Sequence, residues 1–441
     1  MAERNSPLIL GTEPIGKLLI QYSVPAIIAM TVTSLYNIID SIFIGHGVGA
    51  LAIAGLAITF PLMNLVVAFC TLVGIGGATI SSIFLGQKDK VRATEVVHNV
   101  LIMCIINAVC FGGLTFLFLD SILLFFGASH DTLPYARDFM QVILLGTPIT
   151  YVFIGLNNVM RATGYPRKAM FSSLLTVGCN IILAPIFIFS FDWGIRGAAL
   201  ATVVSQTVAM VWVLVHFANK KNFIHFDRRY SRLKVRVVAK IFSIGMSPFL
   251  MNVCACVVVI FINNALQHTG GDLAIGAYGI VNRTLMLFVM IVMGITQGMQ
   301  PIVGYNYGAK QYERVRKTLR YGITAGVVVT TVGFVLSELF PHAIVAMFTT
   351  SEELVDLSVT GLRISCAMFP FVGCQIVISN FFQSIGRAPV SIFLSLSRQL
   401  LFLLPLLLIL PTYWSTNGVW LSMPISCLLY TSPSPRDRQK S

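Results

Sequence analysis

The stretch Gly49-Ala-Leu-Ala-Ile returns as Gly271-Asp-Leu-Ala-Ile, 222 residues further along the chain. The same offset, without a gap, sets Gly86-Gln-Lys on Gly308-Ala-Lys and Arg92 on Arg314. It also sets Pro148 on Pro370, Asn158 on Asn380 and Gly164 on Gly386. One offset held over that length marks two structural copies of a single unit.

Composition says what kind of unit. Apolar residues make up 56% of the 441, and charged residues 11%. A soluble domain carries about 25% charged residues, and the mean hydropathy here is +0.83. Apolar runs long enough to cross a bilayer, about 20 residues each, recur along the whole chain. In the first half they cover Ile15–Ile44, Leu51–Phe84, Val96–Leu119, Tyr135–Met160, Ala169–Phe191 and Gly197–Phe217. In the second they cover Val238–Leu266, Ala274–Tyr305, Leu319–Phe340, Leu354–Phe382 and Val390–Leu410, with an incomplete run from Gly418. In lipid every backbone polar group must be satisfied internally, and these runs lack the alternation of barrel strands. The expected fold is therefore all-α, with twelve transmembrane helices in two pseudo-symmetric six-helix lobes. The lobes are residues 1–217 and 241–430, joined by a basic linker, 218–240. A duplicated membrane bundle is the architecture of a transporter, with its substrate between the copies.

The formal charge of +13 does not point to nucleic acid, because the basic residues gather at one set of helix ends. Lys88, Lys90, Arg92, Arg161, Arg167, Lys168, the linker, Lys310, Arg314, Arg316, Lys317, Arg320 and Arg387 all fall on the side of the N-terminus. The opposite connections hold only Arg137 and Arg196. An excess of Lys and Arg marks the cytoplasmic side, so both termini are expected there. The first stretch is polar and the first apolar run is full length, which reads as a retained anchor rather than a cleaved signal. After Gly418 about a dozen apolar residues remain, too few to span. Residues 431–441, Thr-Ser-Pro-Ser-Pro-Arg-Asp-Arg-Gln-Lys-Ser, read as a polar tail foreign to a truncated last helix.

No chemistry of catalysis or cofactor binding is legible. There is no phosphate-binding Gly-x-x-x-x-Gly-Lys-Ser/Thr, and Gly74-Ile-Gly-Gly follows no strand. The nine cysteines lie almost entirely in apolar runs and read as small packing residues. Cys254 and Cys256 point some 200° apart on a helix, which suits no single metal. A non-enzyme with neither metal nor cofactor is expected.

Sixteen of the 17 acids fit loops, termini or helix ends. Asp40 lies inside the first apolar run, where an ionised Asp costs roughly 2.5–3.5 kcal/mol at a helix centre. A carboxyl kept there can exchange a proton or hold Na⁺ with neighbouring oxygens. Its structural alternative is to cap a helix break before Gly45. Met30, Thr33, Asn37 and Asp40 are spaced 3, 4 and 3 apart and share one helix face. Pro25, earlier on that helix, removes a backbone hydrogen bond and permits a bend, hinged or static. A second stripe, Asn282, Met286, Met290, Met293 and Gln297, suits either a wall for varied ligands or ordinary packing. Arg283, Arg363 and Arg398 are intramembrane by this topology, and each needs a partner.

Three segments together resemble the multidrug and toxic compound extrusion (MATE) family, within it a bacterial branch of export pumps. They are Tyr36-Asn-Ile-Ile-Asp-Ser-Ile-Phe-Ile-Gly-His, Met160-Arg-Ala-Thr-Gly, and Gln297-Gly-Met-Gln-Pro-Ile-Val-Gly-Tyr-Asn-Tyr-Gly-Ala-Lys. The resemblance reaches to about residue 425. It implies a V of two lobes in a bacterial cell (inner) membrane, small drug-like substrates, membrane lipid around it and a monomer. The cavity would draw on Met30, Thr33, Tyr36, Asn157, Asn282, Met286, Met290 and Met293. Asp40 and Asn37 match the family's first-helix motif, and Asn180 and Thr202 match its polar partners on the fifth and sixth helices. Many relatives carry Asp where this chain has Ala184, and the seventh helix also lacks an acid. Both departures favour H⁺ over Na⁺ as the coupling ion. The expected function is an antiporting multidrug exporter. The alternative on the same superfamily fold is a flippase of lipid-linked sugars, for which the three arginines could supply a cationic cavity.

Overall fold

A computed structural model describes residues 8–230, 232–349 and 351–431. The tail 432–441 and the side chain of Asn37 lie outside the described parts. The described chain is helical, without a strand.

The first three helices run Ile15–Gly47, Ala50–Gly86 and Lys90–Leu117. The fourth is bent by 55° between Leu133–Leu145 and Thr147–Ala162. The fifth, Pro166–Pro185, runs on through a wide turn at Ile186–Ser190, and the sixth is Gly194–Ala218. The second half repeats the plan with Val235–Gly271, Leu273–Gly308 and Tyr312–Leu339. Its tenth helix is bent by 53° between Glu352–Cys366 and Phe369–Ser384. Nine of these helices are long and apolar enough to cross a membrane, and counting each bent pair as one span gives eleven among the described residues. The last of them, Ala388–Leu429, is interrupted at Trp414 and Ser415. The stretch beyond, to Thr431, is the short twelfth segment.

The backbone obeys the 222-residue offset. Gly49 and Gly271 both take positive φ, as do Gly164 and Gly386, and as do Lys88 and Lys310. The bends of the fourth and tenth helices fall at the corresponding Thr147-Pro148 and Phe369-Pro370, each proline in the first turn of the helix that follows.

Packing divides the molecule into three apolar cores. One, at the basic end, is built from both halves and contains Leu18, Tyr22, Val73, Ile241, Val292 and Ile302. A second is made only of the first half, around Ile44, Phe139 and Ala198. A third is made only of the second half, around Ile262, Leu362 and Trp420. One shared core at one end and two private cores toward the other make a V.

The apex is closed by backbone meeting backbone. A Cβ on Gly86 would collide with the Tyr305 carbonyl oxygen, and a Cβ on Gly308 with that of Ile83. These two contacts are each other's image at the offset. Likewise Gly76 abuts Ile241, and its counterpart Gly298 abuts Ser23. Small residues let helix backbones approach this closely, which is how membrane helices gain packing without a hydrophobic driving force.

Candidate functional site

The first helix runs from Ile15 to Gly47 through Pro25 without interruption, and Pro25 is buried. One turn separates Tyr36 from Asp40, so both face the fifth and sixth helices. The Tyr36 hydroxyl lies 3.1 Å from Thr202 Oγ1. Asn180 Nδ2 donates to Tyr36 Oη and to Thr202 Oγ1, at 3.0 Å each. Thr202 Oγ1 donates to the Ala198 carbonyl at 3.2 Å. Followed through, these bonds use every donor of the three side chains, those of Tyr36 and Asn180 within the triangle and that of Thr202 on its own helix. Asp40 lies within electrostatic reach of Tyr36, yet its Oδ1 is buried with no hydrogen-bond partner. Asn180 Oδ1 is in the same condition, on a side chain 1% exposed. Two acceptors left bare in one cluster are an arrangement completed by something electropositive. Ala184, where a second carboxyl could have stood, is fully buried in the apolar core of this lobe. Among the described residues no three His, Cys, Asp or Glu side chains converge as a metal site.

The other predicted residues divide between the seam and the lobe interiors. Ser34 Oγ donates to the Met30 carbonyl at 3.0 Å and meets Met290 Sδ across the seam. Gln297 Nε2 donates to Met30 Sδ at 3.4 Å. Met293 is half-buried, Asn282 is half-buried and Met286 is 46% exposed. Thr33 is exposed and returns its hydroxyl to the Ala29 carbonyl at 2.7 Å. Asn157 faces inward instead. It accepts from Ser172 Oγ at 2.8 Å and donates to Ser173 Oγ at 3.3 Å, both within the first lobe.

Sequence reading assigned Arg161 to a solvated connection, and the structure corrects this. The helix Thr147–Ala162 carries it into the seam, where it is 9% exposed and donates through Nη1 to Gln297 Oε1 of the other lobe. No carboxylate pairs with it among the described residues. Its presence in the Met160-Arg-Ala-Thr-Gly segment was the one signal available.

The hydrogen bonds that join the lobes run from the seam, at Ser34–Met290, Met30–Gln297 and Arg161–Gln297, toward the basic end, where Ser23 Oγ donates to the Ile295 carbonyl, Gln300 Nε2 to Thr79 Oγ1, and Asn306 and Arg314 to the Leu10 carbonyl. The far ends are internally tied instead, Arg137 to Asp120 and Arg196 to Asp138. The three arginines that a pyrophosphate site would need do not converge. Arg363 pairs with Glu338 at 3.8 Å, Arg398 Nη1 meets Cys427 Sγ at 3.5 Å, and Arg283 is exposed.

Known proteins match this whole arrangement. The chain is 29% identical over 416 residues to the multidrug export protein MepA of Staphylococcus haemolyticus, covering 93% of this chain and 90% of that one. It is 27% identical over 417 residues to MepA of Staphylococcus aureus, covering 94% and 91%. The solved structure of the MATE multidrug transporter DinF-BH superposes with a TM-score of 0.88 at 37% identity, covering 95% of this chain and 94% of that one. The pattern of the MatE family matches residues 25–186 and, again, 244–409, one match in each lobe. The chain belongs to the MatE family.

Proposed function

We propose that this protein is a secondary multidrug exporter of the bacterial cell membrane, moving cationic or amphipathic compounds outward by alternating access in exchange for protons. The observation that carries this reading is the buried, unpartnered Asp40 Oδ1 one helical turn from a closed Tyr36–Asn180–Thr202 triangle. A proton on Asp40 turns an acceptor with no donor into a donor, which can engage the unpaired Asn180 Oδ1. That rearrangement couples the first helix to the fifth and sixth. Pro25 lets the first helix bend as it happens, and Met30, Met286, Met290 and Met293 line the substrate path. The basic end faces the cytoplasm, with both termini.

Protonation from outside favours the arrangement with weak drug affinity, and loss of the proton inside restores affinity. Coupling of this kind requires only that the two ligands prefer different states. One proton exchanged for one monovalent cation moves no net charge, so the pH gradient alone drives it. Each pH unit supplies about 1.4 kcal/mol, a tenfold concentration of drug. The lack of a second carboxylate, with Ala184 buried in its place, favours the proton over Na⁺.

The test is drug efflux from proteoliposomes under separately imposed pH and Na⁺ gradients. A pH gradient is expected to suffice, with loss of activity in nigericin and little effect of valinomycin. Efflux driven by Na⁺ at uniform pH overturns the choice of ion. A defect in envelope polysaccharide with no efflux at all restores the flippase.

A further inference from the structure

At the apex, on the line where the lobes meet, lies a cavity of about 680 Å³. Its two walls are images of each other. One is the end of the second helix, Gly86-Gln87-Lys88; the other is the end of the eighth, Gly308-Ala309-Lys310. Thr12 and Gln311 help to close it.

Lys88 and Lys310 are unusual in the same way. Their φ angles are 60° and 59°, in the left-handed region. Each stands where a helix terminates by a double hydrogen bond. Asp89 N–H donates to Phe84 O and Lys88 N–H to Leu85 O, both at 3.0 Å. Gln311 N–H donates to Asn306 O at 2.9 Å and Lys310 N–H to Tyr307 O at 3.1 Å. Glycine takes this position without steric cost, and a side chain there is strained. Both copies nevertheless keep lysine, on opposite walls of one cavity. A few cations of this face have carboxylate partners, Lys17–Glu13, Arg92–Asp89 and Lys234–Glu95 among them, and many have none. Lys88 and Lys310 have none among the described residues. The helix ends favour nearby positive charge, but they do not require it at the strained residue.

We propose that this cavity is a binding site for a phosphate-bearing anion, held by one lysine from each lobe. Because each wall belongs to a different lobe, any opening at the apex dismantles the site. An anion bound there stabilises the closed apex and slows passage to the opposite arrangement. The site is independent of which ion drives export.

Thermal unfolding of the full chain tests it. One arm uses neutral detergent with inorganic phosphate against chloride at equal ionic strength. The other uses phosphatidylcholine nanodiscs with or without phosphatidylglycerol. The key variant is the double substitution Lys88→Gly and Lys310→Gly, which relieves the backbone strain and so leaves the fold at least as stable. The native chain is expected to gain thermal stability, and the variant to need about tenfold more anion, as for loss of a charge-assisted contact. Lys220→Ala with Lys221→Ala, on the linker, should respond as the native chain does. A response to phosphate without lipid identifies a soluble anion; a response to phosphatidylglycerol alone identifies a lipid headgroup. An equal response from the glycine variant, or no response from the native chain in either arm, overturns the proposal.

Discussion

The first and seventh helices open the two lobes and share a fold position, but not a chemistry. Counting 222 residues on from Tyr36 and Asp40 reaches Val258 and Ile262, both buried in the private apolar core of the second lobe. The seventh and eighth helices contain no Asp or Glu. One polar residue of the seventh helix, Asn252, returns its amide to the Pro248 carbonyl at 2.8 Å. Duplication supplied two scaffolds that can rock against each other; only one carries an acid within its opening helix. A dry partner lobe can act as the rigid body against which the charged one works.

The sharpest way to break that contrast is Asp40→Asn. Drug efflux is expected to fall to background at equal membrane level, measured as ethidium transport in everted vesicles. Transport that stays pH-driven in this variant removes the asymmetry altogether. The reciprocal change, Ile262→Asp, places a carboxylate in the dry lobe at a cost of about 2.5–3.5 kcal/mol. Combined with Asp40→Asn it should not restore transport, because no polar triangle surrounds it.

The apex is where the lobes should behave alike. Gly86→Ala and Gly308→Ala each drive a methyl group into a carbonyl oxygen of the other lobe. Overpacking of this kind costs about 1–3 kcal/mol, so efflux should drop by roughly tenfold in each. The measurement is initial efflux rate for both variants side by side. A large loss in one and none in the other makes the seam functionally lopsided, whatever its geometry.

The two-lobe fold was legible because the offset and the apolar runs are local and periodic. The bend at Pro148 and Pro370 was not, although both prolines were in view as repeat markers. A proline is equally at home in the first turn of a new helix, and only the 55° and 53° angles reveal which it is. Asp40 stood out because charge in lipid is costly. Its surroundings could not be read from spacing, since Asn180 and Thr202 lie 144 and 166 residues from Tyr36; family resemblance alone named them. Charge counting misplaced Arg161, since a basic residue one position inside a helix end looks the same in sequence as one outside it.

Within the first lobe, Asn180→Ala should rank below Asp40→Asn. It deletes both amide donors of the triangle, leaves the Tyr36 and Thr202 oxygens without the N–H groups they accept from, and removes the open Asn180 Oδ1 acceptor. A net hydrogen bond is worth about 1 ± 0.5 kcal/mol. A shift of the pH profile with a severalfold loss of rate is therefore expected, read from efflux across a series of external pH values. An unchanged profile separates the triangle from the coupling step.

The smallest effect separates the stripe from the site. Thr33 shares a helix face with Asp40, but its hydroxyl is bound to the Ala29 carbonyl of its own helix and the residue is exposed. A hydroxyl satisfied by its own backbone has little left to offer a ligand or a proton. Thr33→Val keeps the shape and removes that bond, and exposed substitutions of this kind usually change stability by no more than about 0.5 kcal/mol. Efflux and its pH dependence should stay within about twofold of the native chain. A loss approaching that of Asn180→Ala makes the whole face a ligand path, and coupling then extends beyond the Tyr36–Asn180–Thr202 cluster toward the seam at Met30 and Ser34.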